Sequence, residues 1–378
     1  MNRRRFLAAL GITSTLAGCL GSDPPVAGDG DATDGGGSAP GGTGTPRSGP
    51  FDLPIPEDEL RRGAPKDAIP AITAPVFSDD WAGFDEVNVE LEDSFEVVGV
   101  ELDGIARAYP LAILNWHEIV NDTFDGRPVV VTYCPLCGSA VVADRLVQGE
   151  PTYFGVSGFL WMSDLVMYDD RTNSLWSQVL ATAIRGELTG DTLSLLPATI
   201  STWGEWKASH PDTEVLVPPP VSGTIRGRQT RQYAVNPYTS YQQSRSIGIG
   251  FNDEVDERMH PKTSVIGVTA GGVARAYPFD PVSKAGVVND QVADLPVVVA
   301  ATDDGTLVAY VREIEGTVVE FERDGDVLVA DGSRWDIVTG RALDGPHDGT
   351  VLTRANDRSP MFWFAWADFN PGTEIYGE

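Results

Sequence analysis

The chain is poor in the residues that most often announce a function. Cysteine occurs three times in 378 residues, as Cys19, Cys134 and Cys137, which excludes a disulfide-dense scaffold. Histidine occurs four times, as His117, His210, His260 and His347, too few and too scattered for a dinuclear histidine-rich centre. Lysine is confined to Lys66, Lys207, Lys262 and Lys284, and 27 basic residues face 55 acidic ones, for a net charge of −28. No basic patch is visible, so nucleic acid is excluded as a partner. A phosphate loop, GxSxG, HExxH and a calcium loop are all missing, so no nucleotide cofactor is implied and no motif assigns an enzymatic activity. The acidic excess, with arginine preferred to lysine, reads as the solvated surface of a protein adapted to high salt.

What is present begins with a targeting pattern. Met1 to Arg5 is basic, Phe6 to Ala17 is apolar but too short for an ordinary transmembrane helix, and Leu16-Ala17-Gly18-Cys19 follows. Arg3-Arg4-Arg5-Phe6-Leu7 resembles a twin-arginine export signal and Leu-Ala-Gly-Cys a lipobox. The expectation is an extracytoplasmic lipoprotein, lipidated at Cys19 and anchored to the outer face of the cell membrane, its one expected partner. Residues 20–52, rich in Gly, Asp, Ser and Thr, are expected to form a disordered tether. The folded body should begin near Phe51, with a first unit over 53–232 and a second over 233–378.

The most distinctive stretch is Val129 to Leu146, VVVTYCPLCGSAVVADRL. Two β-branched runs flank a Cys-Pro-Leu-Cys-Gly turn, which predicts a hairpin with both thiols at its tip. Gly138 supplies the positive φ that such a turn requires. The tip resembles one knuckle of a rubredoxin or zinc-ribbon site, without the second CxxC that would complete it.

The chain also repeats itself. VVGVELDGIARAYPLAILNWHEIVNDTFDGRPVVV, from Val97, aligns without a gap on VIGVTAGGVARAYPFDPVSKAGVVNDQVADLPVVV, from Val265. Trp203 and Trp206 correspond further on to Trp363 and Trp366. Apolar spacing predicts short helices over 111–120 and 202–209 within otherwise β patterning. The expected fold is therefore a β-dominated α+β protein, two similar β-rich units from an internal duplication, each with a few short helices. Gly99 and Gly267 are expected to hold a turn, and the paired Asn-Asp residues to cap or turn the chain.

Residues that differ between the copies carry the chemistry. His117 falls opposite Ala285, Cys134 opposite Thr302 and Cys137 opposite Gly305. The scaffold thus tolerates loss of all three, which predicts a His-Cys-Cys thiolate site in the first copy. Three such donors suit copper(I), or zinc with an open position. His210, Met162, Met167 and Asp164 are possible additional ligands. Two other readings stand beside this one: an extracytoplasmic thiol-disulfide oxidoreductase using Cys134 and Cys137, and a non-catalytic surface binding module.

YCPLCGSA, HEIVND, YFGVSGFLWMSDLVMYDDRTNSLWSQ and HPDTEVL together resemble the prokaryotic family catalogued as domain of unknown function 3179, over roughly residues 60 to 375. The resemblance implies a protein that is often secreted, supports the His-Cys-Cys trio, and supplies no reaction. Met162 stands where it leads one to expect Asn.

Overall fold

A computed structural model describes residues 47–378 apart from residue 88 and residues 250–254. The export signal, Cys19 and most of the expected tether lie outside the described residues. The described chain belongs to one compact unit. The last residues of the stretch expected to be a disordered tether are instead structured, the short strands Arg47–Ser48 and Phe51–Asp52 pairing as a hairpin. The Phe51 ring packs edge-on against Trp161 and Phe369, at 4.9 and 5.9 Å between centroids.

The fold is β-rich with little helix, as the patterning implies, but the expectation of two similar units is overturned. Six sheets form the blades of a single six-bladed propeller. In chain order the first is built on Glu96–Leu102 and Ile105–Pro110, the second on Ile119–Phe124, Arg127–Cys134 and Ser139–Asp144, and the third on Phe154–Trp161 and Asp164–Asp169. The fourth is built on Ser264–Ala270 and Val273–Pro278, the fifth on Val287–Val292, Leu295–Ala301 and Leu307–Val311, and the sixth on Glu322–Asp324, Val327–Ala330 and Ser333–Asp336. One apolar cluster joins Cys134, Trp161 and Trp176 to Val265, Trp363, Phe364 and Trp366, so residues from both copies share a core. Periodicity within one copy cannot show this, because the contacts that close a propeller join distant parts of the chain.

Among the described residues, five short helices accompany the strands: α1 (Leu111–His117), α2 (Trp203–Ser209), α3 (Thr239–Gln242), α4 (Phe279–Ala285) and α5 (Trp363–Phe369). Helix α2 starts where its capping box lies: the Thr202 hydroxyl accepts from Glu205 N at 3.3 Å, and the Glu205 carboxylate accepts from Thr202 N at 3.2 Å.

Gly99 and Gly267 do not hold turns. Each sits inside a strand, and a Cβ there would lie 2.2 Å from the Trp206 ring and 2.1 Å from the Trp366 ring respectively. Glycine is required for the tryptophan to lie flat on the strand. The Asn-Asp pairs tie strands together instead of turning the chain. Asp122 accepts from Arg107 at 2.8 Å and Tyr109 at 2.5 Å, and Asp290 from Arg275 at 2.7 Å and Tyr277 at 2.9 Å. Asn121 exchanges hydrogen bonds with the backbone of Phe154, and Asn289 with that of Phe321, clamping neighbouring stretches of chain.

A buried thiol and carboxylate cluster

The CxxC turn forms as its sequence directs. Cys134 pairs with Ser139 at the end of the second-blade hairpin, and Gly138 turns the chain back with φ of 62°. The tip does not project into solvent. Phe362 N donates to Cys137 O at 2.8 Å, and the Phe362 ring occupies the space where a Gly138 side chain would be. A strand of the fourth blade therefore covers a turn of the second.

A second hairpin tip meets the first. Trp161 pairs with Asp164 in the third blade, leaving Met162 and Ser163 as a two-residue turn, both left-handed with φ of 52° and 65°. Both thiols donate to Ser163 O, from Cys134 Sγ at 3.7 Å and Cys137 Sγ at 3.5 Å. One carboxylate oxygen of Asp164 and the two sulfurs all lie within 4.8 Å of one another, and all three residues are buried. Asp164 Oδ2 accepts from Ser177 Oγ at 2.6 Å and Val179 N at 3.2 Å. Asp164 Oδ1 and Ser163 Oγ are buried with no hydrogen-bond partner.

Burial governs the charge states. It pushes the Cys137 thiol well above its ordinary value, helped by the hydrogen bond to Cys134, and raises the Asp164 carboxyl to about 7. Glu118, capping α1, is raised to about 8 by burial and by the nearby Asp164 charge. Lys262 is lowered to about 8 by desolvation, partly offset by its electrostatic interaction with Cys137. The Lys262 ammonium donates to Ser246 O and stands 3.9 Å from the centre of the Tyr241 ring. The Tyr241 hydroxyl in turn donates to Leu136 O at 2.9 Å and accepts from Gly248 N at 3.1 Å, which lays the segment from α3 to Gly248 over the CxxC turn.

The two candidate histidines are not part of this cluster. His117 is fully buried, but both ring nitrogens are engaged: Nδ1 donates to Pro70 O at 2.7 Å, and Nε2 accepts from Tyr233 OH at 2.9 Å. Desolvation lowers its pKa to about 4, so it is neutral. His210 stacks on Trp206 at 3.8 Å and reaches Glu101. Met167 is a buried strand residue facing Val156 and Trp176 in register, and Met162 packs against the core from its turn. Among the described histidine, aspartate and glutamate side chains, Asp164 alone converges with the two thiols.

Residues 66–373 match the family described as Protein of unknown function (DUF3179). The chain belongs to that family. No curated protein and no solved structure matches it. Membership in DUF3179 accounts for the extent of the folded body and carries no reaction with it, so the chemistry has to be argued from the site. Sequence reasoning missed Glu118, Ser163, Tyr241 and Lys262 there. Glu118 alone left a signal, since the aligned position of the second copy is Gly286.

Proposed function

We propose that this chain is a metal-binding protein held at the outer face of the membrane through a lipid on Cys19. Its centre is formed by Cys134, Cys137 and Asp164 and takes a divalent ion of the zinc type. The observation that carries this reading is the convergence of two sulfurs and a carboxylate oxygen within 4.8 Å in a fully buried place, with Asp164 Oδ1 lacking any partner. A buried acceptor without a donor is costly, and a cation offsets that cost. Two thiolates and a carboxylate around a divalent ion leave one net negative charge, which the nearby Lys262 ammonium balances. The hard carboxylate oxygen favours zinc over copper(I), whose preference is for sulfur.

Burial also weighs against disulfide exchange with a protein substrate, because the attacking sulfur must be approached by another. Cys134 and Cys137 are 1 % and 0 % exposed.

The test is metal content after loading the reduced chain with Zn²⁺ or Cu(I). One zinc per chain is expected, lost in Cys134→Ser and Cys137→Ser and released on acidification as the ligands protonate. A wild-type chain that retains neither metal would overturn the proposal. Retention of Cu(I) alone would overturn the choice of ion.

A further inference from the structure

Cys134, Cys137 and Asp164 are all buried, so an ion reaches or leaves them only if part of the structure around them moves. Among the described residues, three elements lie against the CxxC turn, and two of them are fixed. Phe362 belongs to the fourth-blade strand Met361–Phe362, pairs with Ser264, and leads directly into α5, whose Trp363, Phe364 and Trp366 are core residues. The Met162–Ser163 turn runs straight into Asp164, so it cannot swing away without taking a donor with it. The third element is the segment over residues 238–249. None of these residues is buried, and apart from α3 the segment forms no helix or strand.

That segment is tied mostly to itself. Ser244 Oγ donates to Tyr241 O at 2.9 Å, Ser246 N to Ser244 Oγ at 3.2 Å, and Gly248 N to Tyr241 OH at 3.1 Å. It is fastened to the body where Tyr241 OH donates to Leu136 O, where Lys262 Nζ donates to Ser246 O, and where Ile247 packs against the core cluster that holds both cysteines. A segment with so few buried contacts opens at lower cost than the blades around it. Its closest approach to the centre is at Gly248, where a Cβ would lie 2.6 Å from Ser163 Oγ and 2.7 Å from Ser163 Cβ. Gly248 is not among the positive-φ glycines, so the approach, and not a turn, calls for glycine here. Ser163 is the residue whose carbonyl accepts from both thiols, so the segment closes directly on the backbone that holds the sulfurs.

We infer that residues 238–249 form a strap that gates metal exchange, closing on Ser163 through Gly248 and opening to let a divalent ion pass to or from the Cys134–Cys137–Asp164 centre. The inference rests on the three-donor reading above. The strap supplies no donor atom, so it sets how fast the ion comes and goes and not how tightly it is held. Opening breaks the Tyr241 hydrogen bond to Leu136 O and lifts Gly248 from Ser163, while the two hairpins that carry the donors keep their pairing.

The test follows zinc release from the reduced, zinc-loaded full chain into an excess of a chromogenic chelator, and zinc uptake by the metal-free chain. Gly248→Ala wedges the strap away from Ser163 and is expected to release zinc at least about fivefold faster, the lower end of what overpacking a close contact costs. Tyr241→Phe removes only the hydroxyl and is expected to speed release about two- to tenfold, the worth of one hydrogen bond. Uptake should quicken by the same factor in each, leaving the equilibrium affinity where it was. Adding Ser163→Gly to Gly248→Ala clears the wedge, suits the left-handed backbone at 163, and is expected to return release toward the wild-type rate. Should Gly248→Ala not fold, Tyr241→Phe decides the matter alone. Wild-type release rates in both variants would overturn the strap and leave the three-donor centre standing, as would faster release with unchanged uptake. An acceleration that Ser163→Gly does not reverse would overturn the closing contact. A wild-type chain that holds no zinc would overturn the centre and this inference with it.

Discussion

Glu118, on which helix α1 ends with φ of 57°, makes a quantitative statement about stability that needs no metal. Its carboxyl is raised from 4.5 to about 8 in the folded chain, so the folded state holds this proton more tightly than the unfolded state does. The stabilisation of the neutral form is present in full below the unfolded value and is lost as pH rises through the folded value. From those two values, ionisation destabilises the metal-free wild type by about 1 kcal/mol at pH 5, about 3 at pH 6.5 and about 4 at pH 8. Glu118→Gln cannot ionise, so its advantage over the wild type should grow along that series. Glu118→Gly also removes the left-handed strain, worth on the order of 1 kcal/mol at every pH. The two variants should therefore differ from each other by a constant, and from the wild type by an amount that climbs with pH. Denaturant unfolding of the three metal-free proteins at the three pH values measures this. A wild-type to glutamine difference that stays flat from pH 5 to pH 8 would refute the claim that burial raises the carboxyl at this cap.

Three further outcomes are expected. Gly99→Ala places a Cβ 2.2 Å from Trp206, an overpacking that should cost about 1–3 kcal/mol in thermal or chemical unfolding. His117→Ala should lower stability by roughly 1–3 kcal/mol by stranding Tyr233 OH and Pro70 O, yet leave the bound metal per chain unchanged, as metal analysis of the loaded protein will show. Cys19→Ser should release the protein from membranes in detergent-free fractionation while its unfolding transition stays where it is.

The parts of this protein legible in its sequence are those decided by neighbours along the chain. The hairpin over Val129–Asp144 follows from alternation and from one glycine able to take a positive φ. Helix α2 follows from Thr202 and Glu205, three residues apart, whose groups satisfy each other. Comparing the aligned copies isolates Cys134 and Cys137 because chemistry can be lost where folding does not need it. Everything that joins distant segments had to come from tertiary structure. The same glycine pattern that suits a turn at position 99 serves instead to seat a tryptophan that arrives more than a hundred residues later. His117 is a plausible ligand by type and lies near the thiols along the chain. Its nitrogens are claimed by Pro70 and Tyr233, which only packing brings to it. Asp164 reaches the thiols from a different hairpin, and the fourth-blade residue Phe362 and the segment around Tyr241 close over the CxxC turn. Closure into six blades sets these approaches, because a propeller is fixed by which sheets face one another, and local periodicity is the same whichever neighbour a sheet finds.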